Sequence, residues 1–489
     1  MESFLQMAVA FVLVLGAMIV IHELGHFLVA KFFGIRVEVF SVGFGKRLWG
    51  IKRGDTDYRL SLIPLGGYVK MAGENLDEQV TGAPDEFMSK PKWQRFLVAL
   101  AGPAMNILTA LVIPAVMVMI HFETPAYVRQ PAVVNAVGYD SPAEEAGLRR
   151  GDVIVKIDGH ENPTWRDVED VIAISPDQDV PLTIKRDGKL IETKMHIGTR
   201  MIDTEKIGEA GLEAYLGPNT KLVTRGVEPG SPADKAGFKA GDQILAVNGK
   251  PVKIDEPPPA GEGALDPNAL YGASDVIQEI QNANGQPLTF TVRRDGETLD
   301  LTAAPELKAG RYMLGFYQAP AGGEVIESRL GPVAAIKHSW ELNMRILRLT
   351  GTAMQQIFVG QRSARDTFTG PVGIFVLSGQ AAEEGAQAVF QLMAILSLNL
   401  GIFNLLPIPV LDGGLIFMLG LEAVLGLFGL PLTLRIKEKM IQVGFVMLML
   451  LMGFVIFNDI SKRIPSRSDP APQAEQQQKQ PAEKPPAQE

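Results

Sequence analysis

The sequence predicts a polytopic α-helical membrane protein: four transmembrane helices, two inserted α/β domains and a membrane-associated β-hairpin. Three observations predict it. Apolar runs lie at roughly 4–31, 96–120, 388–424 and 440–457, a motif recurs at an offset of 90 residues, and residues 58–70 alternate partly around Gly66-Gly67. Crossing about 30 Å of hydrocarbon takes about 20 apolar residues, which each run supplies or approaches. Of 489 residues 46% are hydrophobic, fitting a mixed membrane and soluble chain, and the net charge of −9 argues against nucleic acid as a partner. The absence of Cys removes disulfides and thiolate metal ligands.

The first run reads as a retained span. Only Glu2 precedes it, so it lacks the basic flank of a secretion signal, and it is too long for one. Inside it stands His22-Glu23-Leu24-Gly25-His26. On a helix, positions i and i+4 share a face, so His22 and His26 can hold one metal ion while Glu23 addresses a water bound to it. With six His in the chain, chance gives this pattern in roughly one per cent of such chains or fewer. Ionisable groups at membrane depth also need compensation, which a metal provides. A hydrolytic site in a bilayer implies a membrane-embedded substrate.

Between the first two spans, basic residues crowd the chain (Lys31, Arg36, Lys46, Arg47, Lys52, Arg53 and others), while 1–6 carry none. This predicts a cytoplasmic loop, an external N-terminus, external residues 122 to about 385, and His22 and His26 near the cytoplasmic face. Tyr58 to Lys70 turns at Gly66-Gly67 as a hairpin would. Its edge could hold a substrate segment as an added strand; an ordinary cytoplasmic hairpin is the alternative.

In the external region, 141–152 recurs as 231–242, both copies running from Ser-Pro-Ala to Gly-Asp. Arg186-Asp187-Gly188 matches Arg294-Asp295-Gly296 at an offset of 108, so the second copy gains about 18 residues, placed in the Pro/Gly-rich Asp255 to Gly263. Each copy reads as a short helix, a Gly-Asp turn, a strand and a tight turn, and resembles a bacterial PDZ domain over 127–200 and 221–306. Such folds take a peptide or chain end as an added strand, which implies substrate selection; spacer domains that bind nothing are the alternative. Ser339 to Phe358, with Trp340, Met344, Leu347 and Leu349 among polar residues, reads as an interfacial helix within 328–385, or as a buried helix of a small external subdomain.

A catalytic zinc usually takes three protein ligands. His160 and His196 fall in the repeats, His121 ends the second span and His338 sits in a polar stretch, which leaves a carboxylate. Between Ala386 and Leu430 only Asp412 and Glu422 are acidic. Asp412 follows Pro407 and Pro409, which break the third span, and broken helices at membrane depth line cavities. Asp412 is therefore the expected third ligand. Its alternative, a helix-capping Asp, leaves the His pair incomplete. Glu422 is expected to face an interhelical or interfacial partner.

His22 to His26, Gly102-Pro103-Ala104-Met105-Asn106 in the second span and Asn404 to Gly414 in the third together resemble the site-two protease family of zinc intramembrane metalloproteases, from about 1 to 460. The resemblance implies Zn2+ on His22, His26 and Asp412, Glu23 as general base, Asn404 bonded to the substrate backbone and Asn106 shaping the cavity. It also makes the segment with Gly66, Gly67 and Tyr68 a re-entrant, substrate-binding β-loop. Implied partners are single-span membrane proteins, such as an anti-sigma factor trimmed first on its external side, peptide chain ends at the PDZ-like repeats, and the lipid bilayer of a bacterial inner membrane. The domain plan is then 1–126 with two spans and the β-loop, the two repeats, 328–385, spans three and four in 386–460, and a disordered Pro/Gln-rich tail over 461–489. The competing reading is a non-catalytic membrane scaffold whose repeats capture chain ends and whose metal site is structural; Glu23 argues against it, because a structural site needs no base.

Overall fold

The computed structural model describes residues 2–74, 81–120, 122–202, 205–258, 266–367, 370–430 and 433–463. His121, the 259–263 part of the expected insertion and the tail from 464 lie outside the described residues. In chain order the longer helices are α1 (Glu2–Phe32), α2 (Lys92–Ile120), α3 (Trp165–Ile174), α4 (Ala273–Asn282), α5 (Pro332–Phe358), α6 (Pro371–Glu384), α7 (Ala386–Asn404), α8 (Asp412–Leu427) and α9 (Leu434–Arg463). Two units divide the chain. One holds 1–122, 328–350 and 368–465; the other holds 123–327 and 351–367.

In the first unit α1, α2, α7 and α9 are, among the described residues, long and apolar enough to cross a membrane. α9 leaves Val443, Leu450 and Phe457 exposed, which water would penalise and hydrocarbon does not. α7 sets Ala394, Ser397, Leu398 and Gly401 on one buried stripe. Small residues there allow close approach to α2: a Cβ on Gly401 would lie 3.0 Å from the Pro103 carbonyl oxygen, and Ser397 Oγ donates to the Asn106 carbonyl at 2.9 Å.

Pro114 inside α2 has no N–H for the Ala110 carbonyl. Asn343 Nδ2 of α5 donates to that oxygen at 3.0 Å, and Ser339 Oγ donates to the Leu111 carbonyl at 2.7 Å. The helix expected over 339–358 starts earlier, at Pro332, and its buried Ser339 and Asn343 bond to this span. Asp459 near the end of α9 accepts from the backbone amides of Gly370, Val372 and Gly373, each at 3.0 Å, at the start of α6.

The β-structure is larger than the expected hairpin. β1 (Val37–Arg53) and β2 (Thr56–Met71) are each used twice. Residues 37–42 pair with 67–71 in opposite directions, 39–42 run beside 57–60 in the same direction, and 47–53 pair with 56–61. The strands therefore lie in the order 47–53, 57–63, 37–44, 67–71. Gly66-Gly67 is no hairpin turn, since Tyr58 and Val69 flank Phe40 from opposite sides. Gly43, Gly45 and Gly66 adopt φ of 90°, 86° and 132°, which lets the chain cross between these positions. The sheet packs on the end of α1, with Phe27 against Phe40 and Tyr58 at ring separations of 5.2 and 5.8 Å.

In the second unit the two repeats share one plan. Ser141 and Ser231 cap short helices by accepting from the Glu144 and Asp234 amides, with Pro142 and Pro232 at the first helical position, which explains the repeated Ser-Pro-Ala. The repeated Gly-Asp and Arg-Asp-Gly meet in space: Asp152 accepts from Arg186 and Asp242 from Arg294 through two guanidinium nitrogens each. From α3 at 165 to α4 at 273 the offset is already 108, so the added length precedes the helix. The expected repeat ends at 200 and 306 fall short. Ala210 belongs to the first core and Leu314 to the second, because strands 205–209 and 212–214, and 311–313 and 316–321, complete them.

Candidate metal centre

His22 and His26 stand one turn apart on α1, 7% and 8% exposed. Their Nε2 atoms are 3.2 Å apart, and Asp412 reaches them at 3.1 Å (Oδ2 to His22) and 3.4 Å (Oδ1 to His26). Among the described residues these three offer ligand atoms all within 4.8 Å of one another. Glycines make the convergence possible. A Cβ on Gly102 of α2 would lie 2.3 Å from His26 Nε2, and one on Gly25 would lie 2.3 Å from the Ala101 carbonyl oxygen.

Asp412 opens α8, and the helix cap is Leu411 with no side-chain capping bond, so the carboxylate serves the histidines and not the helix end. The preceding loop is held tightly. Val410 takes φ 137°, a strained value for a β-branched residue, and Cβ atoms on Gly413 and Gly414 would meet the Leu405 and Ile408 carbonyls at 2.3 and 2.2 Å. Glu422 instead pairs with Lys437 at 2.9 Å and Lys92 at 3.4 Å.

The donor set fits a divalent cation. The Val98 carbonyl, 2.7 Å from His26 Nδ1, can only accept, so Nδ1 carries the proton and Nε2 presents a lone pair. Asn106 Nδ2 sits 3.1 Å from His22 Nδ1 while its Oδ1 is buried without a partner. A half-turn of that amide gives Oδ1 the Nδ1 proton and leaves His22 Nε2 free as well. Two imidazole lone pairs and a carboxylate oxygen then face one point, the set of a zinc site with a position left open.

Beside this point lies a cavity of about 420 Å³ whose lining includes Glu23, Asn404, Gly67 and Tyr68. Glu23 Oε2 accepts from the Val69 amide at 3.1 Å, on the strand edge facing away from 37–44. Gly66 lies under the Phe44 ring and not in the lining, since a Cβ there would be 2.3 Å from it. Phe44 and Glu74 line the cavity without having been expected to. The flanking Gly43 and Gly45 were the available signal for Phe44; Val69 acts through its backbone and left none. Burial pushes the Glu74 carboxyl above its usual range.

A model of peptidase family M50 matches residues 10–451. The regulator of sigma-E protease RseP of Escherichia coli K12 is 32% identical over 482 residues, covering 94% of this chain and 100% of its own. Protease RseP of Yersinia pestis is 31% identical with the same coverage, and a Pasteurella multocida protein provisionally named a zinc metalloprotease is 32% identical over 94% of this chain and 99% of its own. Relatives of this identity along nearly the whole chain, and a family model matched over most of it, place the protein in peptidase family M50 as a zinc metalloprotease of the bacterial membrane.

Proposed function

We propose that this metalloprotease is an intramembrane endopeptidase that cuts single-span membrane proteins, with His22, His26 and Asp412 as its zinc ligands and Glu23 as general base. The observation that carries the reading is the convergence of two Nε2 atoms and a carboxylate beside Glu23 on a helix apolar enough to span a bilayer. Zinc at this point supplies a Lewis acid for the scissile carbonyl and lowers the pKa of a water. The Glu23 carboxylate takes the water's proton and returns it to the leaving amine. The Val69 amide fixes one Glu23 oxygen, leaving the other for that proton.

A transmembrane helix keeps its carbonyls hydrogen-bonded, so a substrate must unwind before attack. The outward edge of 67–71 offers replacement backbone partners, and the Asn404 side chain offers one more. Placing the site late in α1 puts it toward the cytoplasmic side of the inner membrane with the repeats outside. The repeats act as PDZ-like selectors of chain ends, and an anti-sigma factor already cut externally fits as substrate. The E23Q variant tests the reading: zinc content should stay while cleavage of a single-span substrate in detergent is lost, and undiminished cleavage would remove Glu23 from the role.

A further inference from the structure

Glu74 is the one carboxylate of the cavity lining that the metal chemistry leaves unused. Its Oε2 accepts from the Met71 amide at 3.1 Å, as Glu23 Oε2 accepts from the Val69 amide. Successive backbone amides of a strand point to opposite edges, so those of 69 and 71 share the edge facing away from 37–44. The Ala72 amide keeps the alternation, since it donates the other way, to the Arg36 carbonyl at 2.9 Å. Two amides of the edge on which a substrate strand would be added are therefore already held, each by a carboxylate.

The chain around Glu74 is fixed. The Ala72 carbonyl accepts from the Phe87 amide at 2.8 Å, and Gly73 turns the backbone at φ 65° so close to Glu86 that an added Cβ would lie 2.9 Å from that side chain. Met71, Phe87, Val98 and Leu415 make this end of the cavity apolar. Burial works against the Glu74 charge, and no Lys or Arg pairs with it among the described residues.

A strand added alongside position 71 takes the Met71 amide with its own carbonyl and strips Glu74 of its donor. A carboxylate left without a partner among apolar side chains is costly, so the added strand must answer it. A Lys or Arg side chain does so with a charge-assisted bond. Position follows from strand geometry: at about 3.3 Å per residue, 71 lies roughly 6.6 Å from 69, where Glu23 and the metal site stand. Direction agrees with it. Met71 packs in one cluster with Ala30, near the end of α1 that leads into the basic loop, and membrane proteins carry their Lys and Arg on the cytoplasmic flank of a span.

We infer that Glu74 is a specificity-determining residue: it guards the Met71 amide in the free enzyme and, once a substrate strand takes that amide, pairs with a Lys or Arg two or three residues from the scissile bond on its cytoplasmic side. The inference rests on the proposed intramembrane cleavage and adds the flank that the enzyme reads.

Single-span substrates that differ only in carrying Lys, Gln or Glu at those positions test it, with the full-length enzyme in detergent and the cut located by mass spectrometry. The parent should cleave the Lys substrate with a kcat/KM at least about tenfold above that of the Gln substrate, and the Glu substrate more slowly still. Glu74→Gln keeps an acceptor for the Met71 amide, so it should hold its zinc and cut the Lys and Gln substrates alike. Glu74→Lys should turn the preference toward the Glu substrate. A parent indifferent to the flank, a Lys preference that survives Glu74→Gln, or an equal loss on all three substrates in that variant overturns the inference and leaves the cleavage itself standing. No cleavage of any substrate by the zinc-loaded parent overturns the proposed function and the inference with it.

Discussion

The Asn106 side-chain amide lies 3.1 Å from Nδ1 of His22 with its own Oδ1 buried and unpartnered. A ligand imidazole needs its second nitrogen held by an acceptor, and His26 already has one in the Val98 carbonyl. With its amide turned, Asn106 would be the matching acceptor for His22 at the proposed zinc site. Asn106→Leu should therefore weaken zinc binding by about 10- to 100-fold in competition with a chelator, while Asn106→Asp, which still accepts, should stay near the parent. Equal affinities in all three would mean that the amide merely fills space.

Gly102→Ala should empty the site without replacing a proposed ligand. The added methyl would lie 2.3 Å from His26 Nε2 and 2.8 Å from His22 Cε1, inside any real contact. Metal analysis of the purified variant should show zinc lost. Gly453→Ala in α9 is the control, since nothing lies within 4 Å of its Cβ position, and there zinc should remain.

Asn343 and Pro114 should couple. Removing the donor by Asn343→Ala leaves the Ala110 carbonyl unanswered in an apolar setting, at about 1–3 kcal/mol. In Pro114→Ala, α2 can satisfy that carbonyl itself. The double variant should then lose less stability than the sum of the single ones in thermal unfolding in detergent. Simple additivity would show that the two residues do not share the carbonyl.

What the sequence made legible was local or chemical. Positions 22 and 26 share a face by helix geometry alone, and Asp412 stood out because few acids enter the last spans. The paired prolines before it announced the break. The four-stranded sheet was not legible, because Phe40 has partners 18 residues and 29 residues along the chain and no local pattern selects both. The docking of α5 was hidden for a similar reason. Asn343 looks like an ordinary polar residue until Pro114, more than 200 positions earlier, is seen to free a carbonyl. The repeat ends were misjudged because their closing strands lie outside the duplicated motif.

The Arg–Asp pair inside each repeat should be costly to break. Asp152 is 1% exposed and accepts from Arg186 Nε and Nη2, both at 2.7 Å; Asp242 is buried completely and accepts from Arg294 at 2.6 Å. Arg186→Ala strands a buried carboxylate, at roughly 3–5 kcal/mol. Limited proteolysis should then cut within 131–215 first, and Arg294→Ala should move the cuts to 221–321. Unchanged cleavage maps would show that the repeats do not depend on these pairs.

Glu213 joins the repeats by a bond whose strength should follow pH. Its carboxylate accepts from the Ala273 amide at 3.2 Å, the Ser274 amide at 2.9 Å and the Ser274 hydroxyl, at the start of α4. Burial pushes its pKa above the usual carboxylate range, and the bonds from Ser274 recover only part of the shift. A carboxyl whose pKa is raised by folding contributes stability that is complete below its unfolded pKa and is lost as pH rises through the folded value. Hydrogen exchange at 273–275, corrected for intrinsic rates, should therefore show protection falling from mildly acidic pH toward neutrality. Glu213→Gln keeps an acceptor for the same donors but cannot ionise, so its protection should be flat over that window. Protection that instead rises with pH in the parent would mean that the helix N-terminus outweighs the loss of water around the charge.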